Sequence, residues 1–210
     1  MATKQAAKIF SEVAAHRRTI YALSNKPILP DQQVVKLVQT ALREAPSAFN
    51  VQSSRAAVLF GKDHSAYWNK IVPDALLKVA GQKAVDASKP KLDGFSNGYG
   101  TILFFEENKL IKGQQESLPA YASSFPIWSL HASGMAQIYT WALLEAEGYG
   151  ANLQHYGNLT GETLKEKYNL PESYQIQSEM VFGFPEQPAG AKTSLPDAER
   201  VVSFGANERA

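Results

Sequence analysis

From Ser117 to Leu144 the chain reads SLPAYASSFPIWSLHASGMAQIYTWALL and carries no Asp, Glu, Lys or Arg. A charge-free run of that length either crosses a bilayer or is buried in a protein interior or interface. Its polar residues decide between the two. Ser123, Ser124, Ser129, His131, Ser133, Gln137 and Thr140 interrupt the apolar series, and Pro126 stands inside it. A membrane-spanning helix would carry fewer such groups. The pattern predicts a helix over residues 127–147, buried nearly all round and ended by Gly148. Trp128, Leu130, Met135, Ile138, Tyr139, Trp141, Leu143 and Leu144 cover most of its circumference. The remaining elements of a 210-residue chain are too few to cover every face of such a helix. One side is therefore expected to meet a second copy, giving a homodimer.

With 44% apolar and 20% charged residues, the chain suits one domain over residues 1–185 with an arm of the same domain over 186–210. Helical spacing is expected over residues 3–18. A second helix follows Pro30, with Asp31 as its N-cap and Val34, Leu37, Val38, Ala41 and Leu42 on one face. Pro46 stops it, and residues 56–60 form a strand. Residues 64–80 read as a helix broken at Pro73, and 89–100 as a loop. TILFFEE, from Thr101, is a buried strand. Residues 107–118 form a surface helix. A strand near Ala151–Gln154, a helix over 160–168 and a strand over 176–184 follow, with a short strand at Val201–Phe204 in the tail. The order gives an α+β or α/β chain.

Composition excludes several functions. The net charge is +1 and the cations are scattered, so no basic stripe tracks a phosphate backbone, and no nucleic-acid partner is expected. Cysteine is absent, which excludes disulfides and thiolate metal sites. His16, His64, His131 and His155 lack ligand spacing, so no metal is expected. The N-terminus MATKQAAKIF has no apolar signal core. A cytoplasmic protein without a membrane partner is expected. There is no G-x-S-x-G elbow, no G-x-G-x-x-G after a strand and no Walker loop. Glu106 and Glu107 read as a solvated acidic pair. With no acid, base or nucleophile in view, an enzyme built on this chain leaves its reaction to a cofactor.

Two stretches stand out against that background. RRTIYAL, Arg17–Leu23, places two guanidiniums and a hydroxyl at the end of the first helix. Arg offers a planar fork for phosphate oxygens, and Thr adds a donor. PSAFNVQ, Pro46–Gln52, sets amides at Asn50 and Gln52 among small residues, between a helix and a core strand. Such amides match the alternating donors and acceptors of a heterocyclic ring edge without adding charge. Arg17 and Arg18 also suit a helix C-terminus, and Asn50 and Gln52 a turn, with no ligand at all.

Together, Arg-Arg-Thr and the later Pro-Ser-x-x-Asn-x-Gln resemble the flavin-dependent nitroreductase family. GYGTILFF (Gly98–Phe105) and LQHY (Leu153–Tyr156) resemble a branch with fungal and bacterial members. The resemblance runs over most of the chain. It implies a nitroreductase-like α+β fold with a central four- to five-stranded, mostly antiparallel sheet flanked by helices. It also implies a long buried central helix and a C-terminal arm reaching the partner subunit. It implies non-covalent FMN, with Arg17, Arg18, Thr19 and Tyr21 at the phosphate and ribityl chain. Pro46, Ser47, Ala48, Phe49, Asn50 and Gln52, from the same or the neighbouring subunit, would border the ring. Gln154 and His155 are implied as further cofactor contacts, with Lys192 and Arg200 from the tail. Phe49 and Tyr156 are implied to line the substrate pocket. NADH or NADPH would reduce the flavin, and a nitroaromatic or a quinone would reoxidise it on the same face, giving ping-pong kinetics. A flavin-binding redox sensor with little turnover is the alternative. The chain departs from the family at Tyr21, where many members have a basic residue, leaving Arg18 or Lys91 to supply that charge. Gln52 is followed by Ser53 and Ser54 rather than Pro-Trp.

Overall fold

Along two central strands the side chains alternate between two hydrophobic cores, and this alternation organises the molecule. The computed structural model describes residues 4–206. Residue 3 of the first expected helix and residues 207–210 of the arm lie outside the described residues. The strands are β1 (Leu23–Ser24), β2 (Ser54–Phe60), β3 (Gly100–Glu107), β4 (Gly150–Gln154) and β5 (Tyr174–Pro185). All pair antiparallel; β2 lies beside β3, β3 beside β5, and β4 and β1 share the far edge of β5. This agrees with the four- to five-stranded, mostly antiparallel sheet that the resemblance implies.

The helices are α1 (Lys4–His16), α2 (Asp31–Glu44), α3 (Gly61–Ala66), α4 (Val72–Ser96), α5 (Asn108–Ser117), α6 (Phe125–Ala146), α7 (Gly157–Tyr168) and the short α8 (Asp197–Arg200). One face of the sheet presents Leu59, Leu103, Phe105 and Val181 to Tyr67, Trp68, Leu92, Phe95 and Leu164. The other presents Ile102, Phe104, Met180 and Phe182 to Val34, Val38, Trp141 and Leu144. Period-two alternation thus feeds α4 and α7 on one side, and α2 and α6 on the other.

The charge-free segment folds as α6, two residues earlier at its start than the pattern suggests. Gly148 terminates it at φ 92°, a conformation glycine adopts without penalty, and its N–H bonds Glu145 O at 2.9 Å. Within one chain only one side of α6 is covered. Ser129, Ala132, Ser133, Ala136 and Thr140 are buried, whereas Ile127, Leu130, His131, Gly134 and Ile138 are exposed.

Several local expectations are corrected. Asp31 is the first residue of α2 rather than its N-cap; Pro30 holds that position, and the Asp31 carboxylate instead accepts from the Tyr99 hydroxyl. Residues 89–96 are helix, not loop. Leu92 and Phe95 drop onto the core from α4, and Lys89 pairs with Asp93 one turn on. Burial of that face outweighs Pro90. The break expected at Pro73 falls instead at Gly81 (φ 74°), with Pro73 tolerated in the first turn of α4. The seventh helix starts at Gly157 rather than 160, where a Cβ would lie 2.4 Å from the Ile176 side chain. Val201–Phe204 forms no strand and is exposed.

Glu179 lies fully buried on β5 and accepts hydrogen bonds from the Tyr67 hydroxyl and the Tyr156 N–H, each at 2.9 Å. Burial pushes its pKa up to about 7, and the hydrogen bonds oppose that rise. The folded state therefore holds more protons than the unfolded chain between its ordinary value and about 7. The stability this contributes is full below that window and is lost as pH rises through it. His64 acts in the opposite sense: burial lowers it to about 4, so its contribution is lost as pH falls from its ordinary value. Glu179→Gln keeps an acceptor for the Tyr156 N–H and offers its amide N–H to the Tyr67 hydroxyl, whose own proton then turns to Thr160. The variant is expected to lose the alkaline-side decline and to be more stable at pH 7.5 by on the order of 2 kcal/mol. Urea unfolding across pH 5–8 checks this, and an unchanged pH profile would contradict it.

Candidate functional site

The Arg17–Tyr21 segment is laid along the outer edge of β4. Thr19 forms a parallel bridge with Ala151, and the Ile20 N–H donates to Ala151 O at 2.9 Å. From the strand, the buried Asn152 amide donates to Ile20 O at 2.9 Å, and Gln154 Nε2 donates to Asn152 Oδ1 at 2.8 Å. Asn152 was not singled out in the sequence, because an Asn in a short strand carries no signal of burial. The half-buried Arg17 guanidinium sits 4.5 Å from the centre of the Trp141 ring on α6, a cation–π contact. Among the described residues neither Arg17 nor Arg18 forms an ion pair. Arg18 donates to Gly190 O at 2.7 Å, at the root of the arm. Trp141 Nε1 is buried and has no hydrogen-bond acceptor among the described residues. An anchored guanidinium with no ion pair among the described residues suits an anionic ligand such as a phosphate.

The Pro46–Gln52 loop sits elsewhere on the chain, at the β2 edge of the sheet. Residues 48–50 make one 3₁₀ turn, and Phe49, Asn50 and Gln52 take φ of 52°, 55° and 52°. Left-handed φ is costly for residues other than glycine, and a cluster of it marks a segment that its surroundings over-determine. The one other such residue described, Asn169, is a helix C-cap. Ser47 Oγ accepts from Gln52 N at 2.9 Å, Asn50 N donates to Ser47 O at 3.0 Å, and Arg55 donates to Gln52 O at 2.7 Å. The Phe49 ring, 57% exposed, lies 5.7 Å from Phe125, 5.8 Å from Tyr121 and 6.1 Å from Trp128. The result is an open aromatic shelf over the start of α6.

Directly behind this loop stands Glu106, and it corrects the reading of Glu106–Glu107 as a solvated pair. Glu106 is 1% exposed. It occupies the inward register of Ile102 and Phe104 on β3, opposite Ser54. Burial raises its pKa, opposed by hydrogen bonds from Ser53 and Ser54, the Arg55 charge and Ser133.

The other expected contacts are dispersed. His155 is exposed in a cleft of about 610 Å³ with Asn158, Glu162 and Lys165. Tyr156 is half-buried with its ring 5.7 Å from Trp68, in the core on the α4 side. Within one chain it does not join Phe49 in a pocket, because its backbone is tied to Glu179. Tyr21 is 64% exposed. Lys192 and Arg200 are exposed on the arm, and Lys91 is exposed on α4, across the sheet from Trp141. Among the described residues no cluster of His, Cys, Asp and Glu could hold a metal. No helix there is long and apolar enough to cross a membrane.

A five-stranded antiparallel sheet covered by helices on both faces makes an α+β fold, with Arg17 at one end of α6 and the strained amide loop at the other. The Nitroreductase family model matches residues 14–184, and the chain belongs to the nitroreductase family. It is 39% identical over 183 residues to HBN1 of Saccharomyces cerevisiae, which carries a nitroreductase designation, covering 85% of this chain and 89% of that protein. It is 39% identical to the nitroreductase CinD of Lactococcus lactis, with a TM-score of 0.86 over 93% of this chain and 99% of that one. CinD has been solved with nicotinic acid, with chloramphenicol and with 4-nitrophenol. A protein of Desulfovibrio desulfuricans solved with FMN shares the fold at 18% identity and a TM-score of 0.67, covering 99% of this chain and 100% of that one.

Proposed function

We propose that this chain is an FMN-dependent nitroreductase that passes reducing equivalents from NADH or NADPH to flat nitroaromatic acceptors, and to quinones, by a ping-pong mechanism. The observation that carries the reading is Arg17, held over Trp141 with no ion pair among the described residues. When bound, FMN supplies the two-electron chemistry that no side chain here provides. Arg17, Arg18 and Thr19 hold its phosphate end. Backbone and amide groups of Ser47, Asn50 and Gln52 meet the ring edge, and Phe49 stacks on a flat acceptor. The absence of a G-x-G-x-x-G turn for an ADP moiety favours FMN over FAD. The relatives solved with FMN and with 4-nitrophenol support the cofactor and the acceptor class.

The functional unit is a homodimer with the site shared between chains. Arg17 rests on Trp141 and the loop on Trp128, roughly 20 Å apart along α6 at about 1.5 Å of rise per residue. The exposed apolar side of α6, Ile127, Leu130 and Ile138, is centred near Gly134, where a Cβ would meet nothing within 4 Å. Two α6 helices crossing antiparallel at Gly134 would bring the Trp128 end of one beside the Trp141 end of the other. Each site would then take its phosphate clamp from one subunit and its loop from the other.

The purified protein is expected to be yellow, and to consume NADH or NADPH when 4-nitrophenol is added under anaerobic conditions. A yellow protein that is reduced by the nicotinamide but passes no electrons to nitroaromatics or quinones would overturn the enzymatic reading in favour of a redox sensor.

A further inference from the structure

The strained loop raises the question of what holds it, since three left-handed non-glycine residues persist only where the surroundings fix them. The bonds within the loop close its turn but do not tie it to the body of the protein. That tie is made immediately after Gln52. Ser53 Oγ donates to Glu106 Oε2 at 2.5 Å, and Ser54 Oγ donates to Oε1 at 2.7 Å. Glu107 N donates to Ser53 O at 2.9 Å. The two carboxylate oxygens are thus divided between two successive hydroxyls, which fixes both the position and the rotation of the chain as it enters β2. The other groups around the carboxylate are Arg55 on β2 and Ser133 on α6, and Ser133 is itself held by Gln137 Nε2 at 3.0 Å. Glu106 therefore links the loop to the helix that carries Phe125 and Trp128, the partners of Phe49. A buried carboxylate is expensive where an apolar residue would fit the strand's register. Its presence here, serving the one strained segment of the candidate site, calls for a function.

We propose that Glu106 is a positioning residue: through Ser53 and Ser54 it holds the Ser47–Gln52 loop in the left-handed conformation that aims Phe49 and Asn50 at the ring and the flat acceptor. This rests on the flavin reading of the loop, and it also explains the departure at 53–54. Where the resemblance leads one to expect Pro-Trp after Gln52, this chain has two hydroxyls that match the two oxygens of one carboxylate.

The test compares Glu106→Ala, Glu106→Gln and the double variant Ser53→Ala/Ser54→Ala by amide hydrogen exchange without added flavin or substrate, and by KM and kcat for 4-nitrophenol. Gln accepts from one serine and donates to the other, so it keeps both contacts without the charge. The alanine variants are expected to lose protection about tenfold or more at Asn50, Val51 and Gln52, with Ile102 and Val181 in the central strands unchanged. KM is expected to rise about tenfold, with a smaller change in kcat, and Glu106→Gln is expected to restore both. Should Glu106→Ala fail to fold, the serine double variant carries the comparison. Wild-type exchange at Asn50–Gln52 in the serine variant would overturn the proposal, as would loss of protection spread equally over the central strands. The exchange readout needs no flavin, so its failure is distinct from failure of the flavin reading, which a colourless wild-type protein would show.

Discussion

Arg17→Ala is expected to weaken FMN binding by about ten- to a hundredfold while the apoprotein stays folded. A charge-assisted hydrogen bond contributes about 1.5–3 kcal/mol, and each 1.4 kcal/mol is a decade of affinity. Arg17 has no ion pair among the described residues to lose, so truncation costs the fold the contact with Trp141 at 4.5 Å and little else. Arg17→Lys separates charge from shape: it keeps a cation but not the planar fork, so an intermediate affinity is expected. The dissociation constant comes from titrating apoprotein with FMN and following the quenching of flavin fluorescence. A wild-type constant for the alanine variant would remove Arg17 from the phosphate site.

Ending the chain at Gly190 is expected to raise the dimer dissociation constant by roughly a hundredfold or more, and to weaken FMN binding with it. That cut leaves the root of the arm intact: Glu186 N to Ala22 O at 2.9 Å, Lys26 to Glu186 at 2.7 Å, and Arg18 to Gly190 O. It removes Leu195, Val201, Val202 and Phe204, which are 65%, 73%, 75% and 93% exposed on a single chain. Large apolar side chains strung on an arm with nothing beneath them mark a contact surface. Each one buried in a partner contributes about 1.5–3 kcal/mol, and symmetry doubles the count. Sedimentation across a concentration series reads the constant. A truncated chain that dimerises and holds FMN like the full one would show that the arm has no part in the assembly.

The fold was legible where burial leaves a pattern in sequence. TILFFEE announced β3, the charge-free run announced α6, and Gly148 announced where α6 stops. The misses share a cause: side chains whose partners are distant in the chain. Lys89–Ser96 looked like loop because Pro90 and Gly94 outweigh Leu92 and Phe95 until the core they enter is known. Glu106 looked solvated because the serines that bind it lie 53 and 52 residues earlier in the chain. Asn152 gave no sign that it would carry the Arg17–Tyr21 segment through Ile20 O. Within the candidate site, residue types and spacing marked both stretches. The left-handed backbone at Phe49, Asn50 and Gln52 was not legible, since none of them is glycine. Nor did spacing reveal that the two stretches lie at opposite ends of α6, because sequence separation carries no information about which end of a helix each segment meets.

The central claim is one FMN per chain, held between two chains by Arg17 of one and the Pro46–Gln52 loop of the other. Sedimentation velocity at micromolar protein, recorded at both the protein and the flavin absorption bands, tests it most directly. The predicted result is a single boundary at the dimer mass in both records, with two flavins per particle. A flavin-loaded monomer, or a dimer whose boundary carries no flavin after incubation with FMN, would contradict it.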